Sequence, residues 1–116
     1  MKDSIDLSSI LAAVEGDTTR RLRVFALLGL GIVDSISNGV MSTTDAVNVF
    51  FNAQNCHTTK KILRHDTADE VMGRGVQLPD LFEALAEPEA QQEFQREIAA
   101  IRSLCLQLLT LHLAVA

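Results

Sequence analysis

Helix start and stop signals recur along this chain, whereas no segment shows the alternation of apolar and polar residues that marks a half-buried strand. Ser4, Asp17 and Ser42 each precede an apolar run with helical spacing, and their side chains can accept hydrogen bonds from free N–H groups of a first turn. Gly39 can adopt the left-handed conformation that ends a helix, and Pro88 suits a first turn. The pattern predicts an all-α protein.

These signals also set the bounds of the predicted helices. The helices run from Ser4 to Val14, from Asp17 to about Asn38, from Ser42 to about Asn55, from about Thr58 to Met72, from Pro79 through Leu85, and from Pro88 to the C-terminus. The fourth helix has a polar middle, where a break is expected, and Gly73 and Gly75 are expected to end it. With 116 residues, the chain is predicted to form one helical domain over residues 1–116.

The second helix is apolar on two sides. At about 100° per residue, one sector holds Leu22, Phe25, Gly29, Ile32, Val33 and Ile36, and the opposite side holds Val24, Leu27, Leu28 and Gly31. A helix of this kind is expected to be buried on both sides. Because the only aromatic residues are phenylalanines, the core must consist largely of aliphatic side chains, which favours helix-on-helix packing. We predict a compact orthogonal bundle of five or six helices, with the second and last helices central.

The last helix gains a second apolar face in its C-terminal half. Leu106 and Leu113 share one side, with Leu109 at its margin. Leu104, Leu108 and Leu111 are better placed to continue toward the chain's own core. Either the helix inserts between others, or another chain covers Leu106, Leu109 and Leu113. A symmetric dimer is the commonest cover for such a face, and we expect a homodimer.

Basic residues form two clusters in the sequence: Arg20, Arg21 and Arg23, and then Lys60, Lys61 and Arg64. The first cluster opens the second helix, where positive charge opposes the helix dipole, so an anionic neighbour is expected. The usual neighbour would be a structural carboxylate such as Asp66, Asp69 or Glu70. We therefore expect both basic clusters to face anionic groups.

Cysteine and histidine lie near each other around Cys56, His57 and His65, with Asp69 four residues after His65. A zinc site needs three or four ligands that converge on one point, and this spacing lacks a second Cys-x-x-Cys or a His-Glu-x-x-His. Cys105 and His112 share a face of the last helix, where a core histidine is the ordinary interpretation. We therefore predict no catalytic, metal or cofactor site.

Charge and length narrow the function classes. The net charge of −5 argues against a dedicated nucleic-acid or anionic-membrane binder, and the apolar runs fall short of the roughly 20 residues that span a bilayer. The N-terminal residues lack the apolar region of a secretion signal, so Cys56 and Cys105 are expected to be reduced thiols in a cytoplasmic protein.

The leading hypothesis is a non-enzymatic protein-interaction module, such as an adaptor, an inhibitor or immunity-type protein, or a regulatory subunit. It is expected to bind itself as a homodimer and to be able to bind another protein. The alternative is a nucleic-acid-binding regulator that uses the two basic clusters. Third comes an enzyme or metal protein that uses Cys56, His57 and His65.

Overall fold

The computed structural model describes residues 4–111 of the chain. Its α-helices are α1 (Leu7–Ala13), α2 (Thr18–Ser37), α3 (Thr43–Val49), α4 (Ala53–Thr58), α5 (Asp66–Val76), α6 (Leu81–Ala84) and α7 (Glu87–Leu109). A π-helical turn at Thr59–Leu63 continues α4, and a 3-10 turn at Leu78–Asp80 precedes α6. Residues 4–111 contain no strand, which confirms the predicted all-α class.

Local capping sets the start of α2 and α3 as predicted. The Asp17 side chain accepts a hydrogen bond from the Arg20 N–H, 3.2 Å away, and the Ser42 hydroxyl accepts one from the Asp45 N–H, 3.0 Å away. Helix α1 departs from the prediction, because Asp6 caps it and Ser4 does not. The Asp6 carboxylate accepts hydrogen bonds from both the backbone N–H and the hydroxyl of Ser9, and these bonds lower its pKa.

The predicted third helix, from Ser42 to about Asn55, is wrong in its C-terminal half. Helix α3 ends at Val49, and Asn52 caps a new helix by accepting a hydrogen bond from the Asn55 N–H, 2.9 Å away. Phe50 and Phe51 are both fully buried. Neighbouring residues on a helix point about 100° apart, so a non-helical backbone at this point lets both rings enter the core.

The break expected in the fourth predicted helix is confirmed at Arg64, which has a left-handed backbone with φ of 50°. His65 follows and caps α5, because its Nδ1 accepts a hydrogen bond from the Thr67 N–H. The expectation that Gly73 and Gly75 end this segment is wrong, since α5 continues to Val76. The ring of Phe51 lies directly on Gly75, where an added Cβ would overlap it.

Helices α2 and α7 are the central pair, as predicted. Gly29 of α2 lets the helices approach closely, because a Cβ at this position would lie 2.8 Å from the sulfur of Cys105 on α7. Around this contact the core is built from buried side chains of both helices, namely Phe25, Ala26, Ile32, Val33, Ile98, Ile101 and Leu108. No helix within residues 4–111 is both long enough and apolar enough to cross a bilayer.

Asn55 is a buried polar residue that joins three backbone segments. Its side-chain N–H₂ donates to the carbonyls of Ile5 and Phe50, at 2.8 and 3.0 Å, and its side-chain oxygen accepts from the Leu7 N–H at 3.2 Å. These bonds attach the segment before α1 to the start of α4. The buried backbone groups they satisfy would otherwise lack partners in the core.

Candidate functional site

Helices α2 and α7 run antiparallel, and the side of this pair that faces away from the core forms the candidate site. Asp34 and Arg102 form an ion pair of 2.6 Å near one end of the pair, and Gly29 faces Cys105 near the middle. Leu111 lies close to the N-terminal part of α2, where it lines a cleft with Leu22. We call the outward side of these two helices the α2–α7 face.

The C-terminal half of α7 contributes the first part of this face. Leu106 is 48% exposed, and Leu109 is half-buried against the core. Leu113, the third residue of the predicted self-association face, lies outside the described residues. Leu108 is buried, and Leu104 and Leu111 are half-buried and pack against the core. The side chains of these three residues therefore point toward the chain's own core, as predicted. Helix α7 ends at Leu109, and residues 112–116 of the predicted helix lie outside the described residues.

Helix α2 contributes the second part of the α2–α7 face, and here the prediction of burial on both sides is wrong. Leu27 is 57% exposed, and a Cβ added at Gly31 would meet nothing within 4 Å. Val24 and Leu28 are half-buried. The wheel identified two apolar sides, but within residues 4–111 neighbouring helices cover only one of them. Leu27 is therefore an exposed leucine in the middle of a central helix.

The first basic cluster contacts carbonyl groups. The Arg21 Nε donates to the Leu11 carbonyl, and the Arg20 Nη1 donates to the Glu15 carbonyl, both at 3.2 Å. These carbonyls lie at and just beyond the end of α1, where a helix has unpaired acceptors and a negative dipole end. Two of the three expected carboxylate neighbours pair with other residues, Asp69 with Lys60 and Glu70 with Arg74, and Asp66 forms no ion pair within the described residues.

Two residues of the first basic cluster line one cleft. Arg20, Arg23 and His65 line this cleft of about 610 Å³, and Arg64 of the second cluster directly precedes His65. Leu22 and Leu111 form its apolar part, and Asp17 also lines it. Lys60 instead pairs with Asp69 at 3.9 Å, and Lys61 is exposed. The cleft combines positive charge with an apolar wall.

The cysteine and histidine side chains within residues 4–111 do not converge on one point. His57 is exposed, and the Nδ1 of His65 is used in capping α5. Burial raises the pKa of the Cys56 thiol, although the nearby Lys60 charge acts in the opposite direction. A protonated thiol is a poor nucleophile. No three ligand-type side chains of the described residues lie close enough to hold a metal ion, and His112 lies outside that range.

Burial of Cys105 against α2 makes stability depend on pH. Its pKa rises to about 12 from an ordinary 9.0 because the thiolate would be desolvated. Above pH 9 the unfolded chain loses this proton while the native chain keeps it, so raising the pH toward 12 favours unfolding. We expect Tm to fall across this range, and to fall less steeply in Cys105→Ala. A melting series over pH measures both slopes, and equal slopes in the two proteins would contradict the assignment.

No family model, curated protein or solved structure matches this chain.

Proposed function

We propose that this chain is a non-enzymatic protein-interaction module of the cytoplasm, and that it forms a homodimer through the α2–α7 face. The observation that supports this proposal is the exposure of Leu27 and Leu106, at 57% and 48%, on the two central helices. Large apolar side chains that are exposed on a protein surface favour association with a partner that buries them. A closed two-fold dimer covers such a face without leaving a second copy of it exposed.

The chemistry of the described residues supports a binding role over catalysis. Burial raises the pKa of the Cys56 thiol, and the Nδ1 of His65 accepts a hydrogen bond in a helix cap. A general acid or base must lie within hydrogen-bond reach of a nucleophile. Within residues 4–111, the half-buried Cys56 thiol donates no hydrogen bond to a side chain that could act as its general base. Adaptors, inhibitors and regulatory subunits act by binding alone, and the proposal covers these roles.

The double substitution Leu27→Glu with Leu106→Glu tests the dimer. Both side chains are about half exposed in the single chain, so the monomer should stay folded. Burying four carboxylates in an apolar interface should raise the dissociation constant at least about 100-fold. Sedimentation velocity over a concentration series measures this change, and circular dichroism confirms the fold.

Leu85→Glu is the matched control, because Leu85 is exposed at the end of α6. It lies before the start of α7, and Leu106 lies about 28 Å further along that helix. This control should dimerise like the wild type. If the double variant unfolds, Leu27 and Leu106 belong to the chain's own core, and if it dimerises normally, the interface lies on another surface.

A nucleic-acid-binding regulator is the second candidate, and the cleft lined by Arg20, Arg23 and His65 favours it. Against it stand the net charge of −5 and the use of Arg20 and Arg21 to satisfy backbone carbonyls. Binding of a fluorescent duplex, followed by anisotropy, separates the two candidates. A salt-sensitive signal that is lost in Arg23→Glu would favour the regulator.

A further inference from the structure

Five residues of α2 form a regular stripe along its outward side, which we call the outer seam. They are Arg20, Val24, Leu27, Gly31 and Asp34, spaced alternately by four and three residues. This is the spacing by which one helix packs along another. Val24 is half-buried, and the other four are exposed, so the seam points away from the core of the chain.

Gly31 has no side chain, so the backbone of another helix can approach the outer seam closely at this position. Glycine is among the poorest helix formers, so a glycine inside a helix calls for an explanation. Gly29 and Gly75 are explained by their close contacts with Cys105 and Phe51. Gly31 lies inside α2 with open space above it. Gly73 is also open, but it lines a cleft with the charged residues Glu70 and Arg74, away from any apolar stripe.

The charges at the ends of the outer seam are complementary to those of a second copy of the chain. Arg20 begins the seam and Asp34 ends it, with Leu27 midway between them. A two-fold axis at Leu27 would place two α2 helices antiparallel, with each arginine near the opposite aspartate. A parallel arrangement would instead oppose like charges, which is unfavourable.

Arg20 and Asp34 can each form an ion pair with a second copy in addition to their contacts within the chain. One N–H of the Arg20 guanidinium donates to the Glu15 carbonyl, and the other guanidinium N–H groups donate to no residue in the described range. Asp34 pairs with Arg102 at 2.6 Å through Oδ1, yet its side chain remains 51% exposed. A carboxylate can accept from two arginines, because it has two oxygens and about four lone-pair sites.

We propose that the dimer is formed by antiparallel crossing of two α2 helices at Leu27, with Arg20 of each copy paired to the partner's Asp34. This inference rests on the proposed function, since it specifies how the α2–α7 face is covered. Leu27 and Gly31 form the apolar centre of the crossing.

Charge exchange tests the antiparallel pairing directly. In R20E the crossing opposes two glutamates to two aspartates, and in D34K it opposes two lysines to two arginines. Each variant alone should therefore associate at least about 10-fold more weakly than the wild type. In an equimolar mixture, a heterodimer contains only opposite-charge pairs, so its dissociation constant should return to within about threefold of the wild-type value.

R96E is the matched control, because Arg96 is exposed on α7 and lies off the outer seam. It changes the net charge as R20E does but leaves Arg20 and Asp34 intact, so R96E alone should associate as tightly as the wild type. D34K also places a lysine beside Arg102. The variant D34K with R102E restores that in-chain pair with reversed signs, and it should give the same result with R20E.

Sedimentation velocity of each variant and each mixture separates the outcomes. Weak association of R20E and of D34K alone, with recovery when R20E is mixed with D34K or with the D34K and R102E variant, supports the antiparallel crossing. A wild-type dimer that both single variants leave unchanged would overturn the crossing while leaving the proposed homodimer in place. A wild type that stays monomeric would overturn both.

Discussion

Gly75→Ala should destabilise the protein by about 3 kcal/mol, an overpacking cost at the upper end of the usual range. The added methyl group would overlap the ring of Phe51, which is fully buried and has no free space into which to move. For a domain of this size, the loss corresponds to a Tm lower by about 10 °C or more. Thermal denaturation followed by circular dichroism measures it.

Gly73→Ala is the control, because it makes the same change two residues earlier on the same helix. A Cβ at Gly73 meets nothing within 4 Å. Its stability should rise by about 0.5–1 kcal/mol, since alanine favours the helix and glycine does not. Equal effects of the two substitutions would contradict the packing of Phe51 on Gly75.

Asn55→Ala should destabilise the protein by about 3 kcal/mol. Each buried polar group left without a hydrogen-bond partner costs roughly 1–3 kcal/mol, and relaxation of the surrounding structure relieves part of the summed cost. The substitution leaves the Leu7 N–H and the carbonyls of Ile5 and Phe50 without this partner. Amide hydrogen exchange should accelerate most in α1, which the Asn55 side chain holds against α4.

Gln54→Ala is the matched control for this prediction. Gln54 precedes Asn55 in α4, and its side chain is exposed. Its replacement should change Tm little, since surface substitutions away from special features usually stay within about 0.5 kcal/mol. If Asn55→Ala were as mild as Gln54→Ala, the three hydrogen bonds would contribute little to stability.

The parts of the fold that depend on neighbouring residues in the chain could be predicted from sequence. The caps of α2 and α3 are examples, because a side chain at the first position bonds a backbone N–H three residues on. The break between α3 and α4 was missed because it depends on where Phe50 and Phe51 find space, which is a property of the assembled core. The position of Gly75 inside α5 was missed for the same reason, because the ring of Phe51 packs on it and leaves no room for a Cβ.

The candidate site was only partly predictable. Leu106 was identified from periodicity alone, because a helix wheel shows which side chains share a side. Leu27 was expected to be buried, since a wheel cannot show how many neighbouring helices exist to cover a second apolar side. The roles of Arg20 and Arg21 depend on α1 ending beside α2, a tertiary arrangement with no local sequence signal.

The most direct test of the central claim is the mass of the wild-type chain in solution, measured by sedimentation equilibrium from low to high micromolar concentration. The claim predicts a species of twice the 12.7 kDa chain mass that dissociates on dilution. A mass of 12.7 kDa at every concentration would contradict it, and would leave Leu27 and Leu106 exposed without a second copy to cover them.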